Sequence, residues 1–487
     1  MPVPPDLISA GPGHISETLR SELRGVVGSE HLIEGGDALE TLSKDFYWYS
    51  PVLKRQLEDK RADLVARPGS MEELKGVIAA CFQASVPVVP RGGGTGNYGQ
   101  CVPLYGGVVV DLARLDHIHS VAGGVVRAEP GARLGTIETE ARAAGWELRC
   151  MPSTWMKSSL GGFFCGGSAG IGSITWGGIN AGDNVKSVTI MTCEAEPKLI
   201  RLEEQEVVKA LHTYGTTGFM VEIEMRLAPK VDYEQLIFSS PDWDQLLDWT
   251  HAAARNPAWP KRLVTQMQWP TPSFFKPLAR HFKPGAHVSF ILVARAQAEA
   301  MIAAAAAAGI ECVYQRPLSD PPKPPFISDF TWNHTTLWAM KTDPGITYLQ
   351  AGFGPNFREQ LAELQRRFPG EILNHLEWMA VGNLKMAKAV ATAAPTAGDV
   401  VVGSIPLIYF KSEERLNEII RACGELGVGV ANPHTYRLEE GGRHPNIADK
   451  RALKSAVDPR GLLNPGKMKT YPHNPFDPVA AAVVAAN

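Results

Sequence analysis

The sequence predicts an α+β fold in which helices cover β-sheets. Strand-like and helix-like segments alternate between residues 62 and 229, the pattern of a layered sheet-and-helix domain. The composition then shifts toward proline and tryptophan, with four tryptophans in one short stretch, Trp243, Trp249, Trp259 and Trp269. A chain of 487 residues has the length of roughly three domains. We therefore expect a first domain over residues 1–229, a second over 230–425 and a C-terminal segment over 426–487.

Local signals place the elements of the first domain. Ser16 precedes the segment ETLRSELRGVV, so a helix is predicted from there to a stop at Gly28. Ser70 followed by Glu73 forms a capping box that begins a helix ending near Gln83. A further helix is predicted over Leu134–Ala144, and strands at 62–68, 86–90, 108–112, 124–129, 185–193 and 220–227.

The second domain has weaker signals. A strand is predicted at 287–294 and an alanine-rich helix near 295–308. The proline-rich loop SDPPKPPF follows at 319–326, and the apolar run GDVVVGSIPLIYF at 398–410 predicts another strand.

Residues 90–100 read PRGGGTGNYGQ and contain the pattern G-x-G-x-x-G. A Rossmann fingerprint needs a helix after the glycines, because the helix N-terminus receives the pyrophosphate. Pro103 and the Gly106-Gly107 pair stand where that helix would run, and no Lys-Ser or Lys-Thr follows as in a Walker loop. The glycines, with Arg91 at their start, instead suit a backbone nest for a phosphate or dinucleotide; the alternative is a flexible loop.

A second glycine-dense segment spans residues 160–185 and reads LGGFFCGGSAGIGSITWGGINAGDNV. Helices and strands disfavour glycine at that density, so we predict a loop that threads close to another group. The segment also has too little apolar area for a membrane span.

Composition excludes several classes of function. A net charge of −3 gives no electrostatic case for a nucleic-acid or anionic-membrane partner. The seven cysteines include no C-x-x-C pair, so neither a zinc ribbon nor a disulfide framework is indicated. The N-terminal MPVPPDLISAGPGH has neither the basic nor the apolar region of a secretory signal. We expect a soluble, cytoplasmic protein without a membrane span.

Four segments carry a resemblance to a known family: PRGGGTGNYGQ (90–100), PSTWMKSSLGGFFCGGSAG (152–170), GTTGFMVEIEMRLAP (215–229) and DPRGLLNPGK (458–467). In this order they resemble the flavoproteins of the p-cresol methylhydroxylase (PCMH) and vanillyl-alcohol oxidase superfamily. The branch is that of the glycolate-oxidase flavin subunit and D-lactate dehydrogenase. The resemblance implies a two-part PCMH-type FAD-binding domain over 1–229, an α+β cap (substrate) domain over 230–425, and a C-terminal return to the flavin over 426–487.

The resemblance also implies which residues hold the FAD. The first glycine loop would bind the pyrophosphate, the second would pass beside the ribityl chain and ring, and backbone near Phe219 and Val221 would contact adenine. The implied cofactor-binding residues are Arg91, Gly92, Gly93, Gly94, Thr95, Gly96, Asn97, Tyr98, Gly99, Pro152, Ser153, Ser158, Gly161, Gly162, Gly166, Gly167, Gly170, Phe219, Val221, Asn464 and Lys467.

The sequence departs from its relatives at two places. Some relatives attach the flavin covalently to a histidine in the first loop, where this chain has Asn97 and Tyr98, so we expect non-covalent FAD. Cys101 and Cys165 lie near the two loops and are interpreted as small buried apolar residues. The zinc-binding run H-x-G-D-G-N-x-H and the Glu-His-Gly turn of the D-lactate and 2-hydroxyglutarate branch do not occur, so no metal is expected.

Oxidation of a CH–OH group beside a flavin needs a group that takes the hydroxyl proton. His434 and Tyr436 stand in a turn before the C-terminal motif, which favours His434 as the base and Tyr436 as its polar partner. His334 and His375, each near aromatic residues, are the other candidates for the base, and the alternative for every one is a structural histidine. Possible carboxylate anchors are Lys341, Arg437 and Arg443.

These residues predict an FAD-dependent oxidoreductase that oxidises a 2-hydroxy acid or alcohol by hydride transfer to the flavin. The alternatives are an oxidase of para-substituted phenolic or aromatic alcohols, which the tryptophan-rich middle favours, and a flavin-carrying subunit of an electron-transfer complex. The expected partners are a small-molecule substrate and an acceptor that is oxygen, a quinone or a redox protein. A homodimer is left open.

Overall fold

The computed structural model describes residues 15–181, 183–380, 400–441 and 446–469, and it confirms the α+β class. The first sheet has the strand order β1-β2-β4-β3. β2, β4 and β3 are parallel, and β1 is antiparallel to β2. All residues of β2 and β4 are buried, as parallel strands require. The strands are β1 (Leu32–Ile33), β2 (Leu64–Ala66), β3 (Val88–Arg91) and β4 (Val108–Asp111).

The helices of this part are α1 (Glu17–Val27), α2 (Gly36–Leu42), α3 (Pro51–Leu57) and α4 (Met71–Gln83). Both predicted N-caps are confirmed: Ser16 Oγ accepts from Leu19 N at 3.2 Å, and Ser70 Oγ accepts from Glu73 N at 3.1 Å. The apolar faces of α1 and α4 pack together in one core with β2 and β4. No helix lies between β3 and β4, so the first glycine loop is a strand–loop–strand connection.

The second sheet is antiparallel and has the order β5-β6-β10-β8-β9, with β7 paired to the end of β10. Its long strand β10 is the centre of the core of this part. The elements are β5 (Ile118–Ala122), β6 (Val125–Ala128), α5 (Leu134–Ala143), β7 (Trp146–Leu148), α6 (Leu160–Gly166), α7 (Ser173–Trp176), β8 (Val185–Met191), β9 (Leu199–Glu203) and β10 (Phe219–Pro229).

The prediction that the glycine-dense segment contains no helix is wrong. Residues Leu160–Gly166 form α6, and Ser159 caps it by accepting from Gly162 N at 3.2 Å. Leu160, Phe163 and Phe164 are buried in the core of the second sheet. Their burial outweighs the low helix propensity of the glycines between them.

The cap domain is built on a large antiparallel sheet with the strand order β14-β11-β13-β12-β18-β19-β16-β21. A small sheet with the order β15-β20-β17 lies beside it. The run predicted as one strand at 398–410 is divided between these sheets at Ile405-Pro406, since proline cannot donate to a ladder. The strands are β11 (Tyr233–Ser240), β12 (Lys261–Met267), β13 (His287–Ala294), β14 (Glu311–Pro317), β15 (Ile346–Tyr348), β16 (Ala351–Gly352), β17 (Ile372–Leu373), β18 (His375–Ala380), β19 (Val400–Ser404), β20 (Leu407–Tyr409) and β21 (Gly429–Val430).

Helices cover one face of the large cap sheet and form a core with it. Its opposite face turns toward the FAD-binding part. The helices of the second half of the chain are α8 (Trp243–Arg255), α9 (Ala298–Ala307), α10 (Asn333–Thr342), α11 (Phe357–Arg367), α12 (Glu413–Glu425) and α13 (Ile447–Val457). None of the helices in the described ranges is long and apolar enough to cross a membrane.

Buried ion pairs join the cap to the second sheet. Arg142 on α5 pairs with Glu147 on β7 at 2.9 Å, and Arg262 on β12 pairs with Glu138 on α5 at 2.8 Å. All four side chains are buried, so each charge depends on its partner and the two parts are fixed together here. The chain changes sheet between β10 and β11, and we retain residue 230 as a proposed boundary.

The C-terminal segment lies beside β3. Val88 N donates to Leu462 O at 2.9 Å, and Asn464 N donates to Val88 O at 2.8 Å. The residues just before the first glycine loop therefore pair with residues more than 370 positions later. The segment from 470 onward, including PVAAAVVAAN, lies outside the described residues.

Candidate functional site

One large cavity, of about 980 Å³, lies between the FAD-binding part and the cap. This volume is at the upper end of the range for small-molecule pockets. Its wall includes both glycine-rich segments, the loop before β10, the turn before α10 and the ends of β18, β19 and β21. The two glycine-rich segments therefore form two sides of one site.

The first glycine loop forms one edge of the cavity through residues 92–98. Gly93 N donates to Ser159 Oγ at 3.1 Å, and the Thr95 and Ser158 hydroxyl oxygens are 2.8 Å apart. A Cβ on Gly93 would lie 2.6 Å from Lys157 O. The glycines thus allow the two glycine-rich segments to touch, in addition to any close approach of a ligand.

Arg91 supports this loop from beneath. Its Nη1 donates to Lys44 O at 2.6 Å, and its guanidinium fills the space that a Cβ on Gly94 would need. Gly94 also has φ of 63°, in the left-handed region. Backbone conformation and space both require glycine at this position.

Asp45 and Lys467 hold the far end of the loop. Asp45 accepts from Gln100 N at 2.7 Å, and Lys467 Nζ donates to Gly99 O at 2.6 Å. Burial raises the pKa of Asp45 to about 6 and lowers the pKa of Lys467 to about 7, while the attraction between the two charges opposes both shifts. Sequence reasoning gave no sign of the role of Asp45.

Four predicted cofactor contacts lie behind the cavity wall. Lys467 is fully buried under Gly99, and Asn464 Nδ2 donates to Gln100 O at 2.9 Å and to Tyr214 O at 2.6 Å. A Cβ on Gly170 would lie 2.9 Å from Pro152 Cα. These four residues support the loops from behind, and their contact with the cofactor stays a prediction: Gly99, Gly170, Asn464 and Lys467.

The segment at 152–170, which includes the start of the second glycine-dense segment, does line the cavity, through Pro152, Ser153, Ser158, Gly161, Gly162, Gly166 and Gly167. At the next part of the wall, Phe219 and Val221 pack into the core of the first sheet and are off the wall. Met220 lies on the wall in their place, because neighbouring residues of a strand point to opposite faces. Contact of the backbone near Phe219 and Val221 with the cofactor stays a prediction, and Met220 is the residue of this stretch that lies on the wall.

His434, Tyr436 and His375 do not reach the cavity. The ring of His434 uses both nitrogens, with Ser50 Oγ 2.7 Å from Nδ1 and Tyr348 O 2.8 Å from Nε2. His375 likewise contacts Ile405 O at 3.1 Å and Glu377 Oε1 at 2.9 Å. The Tyr436 ring lies 4.9 Å from Lys467 Nζ. Both ring nitrogens of His434 and of His375 are thus engaged inside the fold, and a catalytic role for these two residues and for Tyr436 stays a prediction.

His334 is the predicted catalytic histidine that lies on the cavity wall. Its Nδ1 is buried and has no hydrogen-bond partner in the described part of the chain, which leaves Nε2 for the cavity. Burial, with smaller effects of Lys341 and Lys157, lowers the pKa of His334 to about 4. The imidazole is therefore neutral near pH 7 and able to accept a proton.

The turn that presents His334 has a strained backbone. Trp332 has φ of 52° and ψ of −139°, a region that bulky residues rarely adopt. Its N–H donates to Glu377 Oε1 at 2.8 Å. Trp332 Nε1 and Asn333 Oδ1 are buried without a partner in the described ranges. Unsatisfied polar atoms and strain together are typical of functional sites.

The predicted carboxylate anchors lie elsewhere. Lys341 Nζ stacks 4.5 Å over the Trp338 ring, Arg437 pairs with Glu440 at 3.2 Å, and Arg443 lies outside the described residues. Lys157, three residues before the second glycine-dense segment, lines the cavity and its charge acts on His334. In the sequence, one signal pointed to Lys157: it directly precedes Ser158, whose hydroxyl contacts Thr95 of the first glycine loop.

The residues present fit an FAD. The two glycine loops contact each other and form a cradle. A Cβ on Gly93 or on Gly94 would fill part of this cradle. Neither loop needs a Rossmann helix to expose backbone N–H groups. In the described ranges, no group of three His, Cys, Asp or Glu side chains is placed to hold a metal ion.

Comparisons with known proteins agree with this cradle. A family model described as an FAD binding domain matches residues 62–201. The chain is 27% identical over 187 residues to glycolate oxidase subunit GlcD of Escherichia coli (strain K12), a region that covers 37% of each protein. It is 26% identical over 446 residues to D-2-hydroxyglutarate dehydrogenase of Xanthomonas citri pv. viticola, covering 83% of this chain and 88% of that protein.

Solved structures extend the likeness to the cap. Alkyldihydroxyacetonephosphate synthase superposes with a TM-score of 0.69 at 15% identity, over 95% of this chain and 88% of that chain. At that identity the likeness shows the fold alone. With GlcD, the match spans just over a third of the relative's length.

Proposed function

We propose that this chain is an FAD-dependent oxidoreductase of the PCMH and vanillyl-alcohol oxidase superfamily, acting on a CH–OH donor. The donor is a 2-hydroxy acid or an alcohol. One observation carries the proposal: His334, a neutral histidine, faces the same cavity as both glycine loops. The names of the relatives, which refer to glycolate and D-2-hydroxyglutarate, support the substrate class.

The roles of the residues follow from their positions. When bound, FAD supplies an acceptor for a hydride. His334 takes the hydroxyl proton at Nε2, the ring nitrogen turned to the cavity. Lys157 pairs with the carboxylate of a hydroxy acid, because it is the lysine that lines the cavity near His334. Residues 92–98 and the second segment hold the dinucleotide and exclude water from its diphosphate.

The test is anaerobic stopped-flow reduction of the purified flavoprotein. A 2-hydroxy acid should bleach the flavin absorbance near its visible maximum in a concentration-dependent manner. Unchanged flavin with a broad panel of 2-hydroxy acids and alcohols would contradict the proposed activity.

A second candidate is oxidation of an aromatic alcohol or para-substituted phenol. Aromatic side chains on the wall favour it: Phe46, Tyr49, Phe326 and Trp332. Bleaching by vanillyl alcohol and none by hydroxy acids would select this candidate. A flavin-carrying subunit of an electron-transfer complex, the third possibility, would bleach with neither donor.

The acceptor, the assembly and the compartment complete the proposal. Oxygen, a quinone or a redox protein reoxidises the flavin, and oxidation of the reduced protein by each in turn distinguishes them. A homodimer is tested by light scattering. The cytoplasm is the proposed compartment, and cell fractionation tests it.

A further inference from the structure

Three glycines stand in register on the cap sheet. Gly403 on β19 is opposite Gly352 on β16, and Gly352 is opposite Gly429 on β21. All three line the cavity. On the fourth strand of this row, β18, the partner of Gly403 is Glu377. The row leaves a strip across the sheet without side chains, which we call the glycine strip.

The glycine strip faces the cavity. Side chains alternate between the two faces of a sheet. The neighbouring rows, represented by Leu376, Trp378 and Val402, pack into the core formed with the cap helices. The row between them therefore points the other way, toward the cavity.

Backbone conformation does not require these glycines. All three lie in strands, and none has a positive φ. Glycine inside a strand weakens it, and often marks a site where a ligand or another backbone approaches closely. At Gly403 a Cβ would lie 2.8 Å from Met379 Cε, so this glycine admits the Met379 side chain. At Gly352 and Gly429 the cavity wall has no side chain, so a ligand can approach the backbone there.

The surroundings of the strip are apolar. Met379, Val401 and Ile405 flank it on the cavity wall. The carboxylate of Glu377 is engaged by Trp332 N at 2.8 Å and by His375 Nε2 at 2.9 Å. Within the described residues, the lysines and arginines of the wall are Arg91, Lys157 and Lys450, and none belongs to the cap sheet.

The strip continues from the reacting end of the cavity. Trp332, next to His334, is hydrogen-bonded to Glu377, and Glu377 is the strand partner of Gly403. A substrate whose hydroxyl meets His334 would therefore extend its side chain along the strip.

We propose that the glycine strip binds the apolar side chain of the substrate, so that the substrate class is 2-hydroxy acids with an aliphatic chain of several carbons or an aryl group. This inference rests on the proposed function. Among the described residues of the strip and its flanks, a second carboxylate on the side chain would meet apolar groups and no cation, so dicarboxylic hydroxy acids should be poor substrates.

The experiment measures kcat/KM for flavin reduction in the holoenzyme with racemic lactate, 2-hydroxybutyrate, 2-hydroxyhexanoate, 2-hydroxyoctanoate, mandelate and 2-hydroxyglutarate. We expect kcat/KM to rise about fourfold for each added methylene until the strip is full. Equal or higher values for lactate and 2-hydroxyglutarate would overturn the inference, while the proposed oxidation would stand.

Variants locate the effect. Gly352→Leu and Gly429→Leu place a side chain in the strip and should lower the ratio of kcat/KM for 2-hydroxyoctanoate to kcat/KM for lactate, which removes most of the gain with chain length. Val428→Ile adds one carbon to the core formed with the cap helices, away from the cavity wall, and should leave the gain intact. A chain-length gain that survives both leucine variants would place the side chain elsewhere and overturn the inference.

Binding of carboxylic acids that cannot be oxidised tests the glycine strip independently of the proposed activity. Octanoate should perturb the flavin absorbance of the holoenzyme at far lower concentration than acetate, and Gly352→Leu should abolish the difference. If no hydroxy acid reduces the flavin but this difference is found, the proposed activity falls and the strip is supported. Equal binding of acetate and octanoate would overturn the strip.

Discussion

The backbone N–H of Trp332 donates a 2.8 Å hydrogen bond to Oε1 of Glu377, a buried carboxylate on the neighbouring strand β18. The same carboxylate is contacted by His375 Nε2 and by the Thr265 hydroxyl. These contacts hold Trp332 at a positive φ and so fix the direction of His334, two residues on. Glu377 is thus a positioning residue for the turn that faces the flavin loops.

Replacing Glu377 by Gln should slow flavin reduction by roughly tenfold while FAD remains bound. The amide has the shape of the carboxylate, but its NH₂ group would face one of the groups that now donate to Glu377. The lost hydrogen bond would cost about 1–3 kcal/mol of stabilisation of the turn. The measurement is stopped-flow reduction together with FAD content. Glu371→Gln is the control, since Glu371 pairs with Arg415 away from the cavity wall. Equal rates in both variants would show that the turn does not depend on Glu377.

Replacing Gly94 by Ala should weaken FAD binding by at least tenfold. Its φ of 63° and the adjacent Arg91 guanidinium both oppose a Cβ. Gly123 is a matched control, because its φ of 58° carries the same backbone strain but no atom lies within 4 Å of a Cβ there. Gly123→Ala should lower the melting temperature and leave FAD affinity unchanged. Titration of the apoprotein with FAD, followed by flavin fluorescence, gives both affinities.

The flavin should be FAD, held without a covalent bond. Burial raises the pKa of the Cys101 thiol to about 11 and that of the Cys165 thiol to about 12, so neither forms a thiolate near pH 7. Acid precipitation should release all of the flavin into the supernatant, and chromatography should identify it as FAD. Flavin that stays with the precipitated protein would contradict the prediction, and its loss from a Cys165→Ser variant would identify the attachment.

His334→Ala should slow flavin reduction by about 10²–10⁴-fold with FAD retained, the usual contribution of a general base. His434→Ala should instead lower the melting temperature, since it leaves Ser50 and Tyr348 without their buried partner. The contrast between the two variants is the test. A normal rate in His334→Ala would require another proton acceptor.

Acid should destabilise the fold between pH 6.5 and about 4. The pKa of His334 is held at about 4 in the folded chain, against an ordinary value of 6.5. The unfolded chain therefore takes up a proton in this window and the folded chain does not, so stability is complete above pH 6.5 and falls as the pH is lowered. At pH 5.5 the free energy of unfolding is lower by about 1 kcal/mol because of His334. Urea unfolding at pH 7 and 5.5 measures it, and His334→Asn should reduce the difference.

The sequence predicted those parts of the molecule that local chemistry decides. Ser16 and Ser70 were sufficient for two helix starts, and the helix-breaking residues after the first glycine loop excluded a Rossmann site. The pairing of strands that are distant in the chain could not be predicted from the sequence. Gly352, Gly403 and Gly429 form one row only because three strands that are not consecutive meet in register.

The same reasoning explains where the predicted site residues and the residues of the cavity wall differ. Proximity in sequence to Asn464 and Lys467 favoured His434, yet those two residues themselves lie behind the loop. On β10 the alternation of side chains places Met220 on the cavity wall, whereas Phe219 and Val221 point to the other face. Burial of Phe163 and Phe164 made a helix in a segment that composition alone assigns to a loop.

The pairing of Val88 with Leu462 and Asn464 has a consequence for biosynthesis. β3 leads directly into the first glycine loop, and Lys467 secures that loop from below at Gly99. During translation the N-terminal part of a chain begins to fold first, but this loop lacks its support until residue 467 has left the ribosome. Nascent chains that stop short of this point would expose an unfinished cradle. A complete cradle for the flavin therefore forms only after residue 467 has been synthesised.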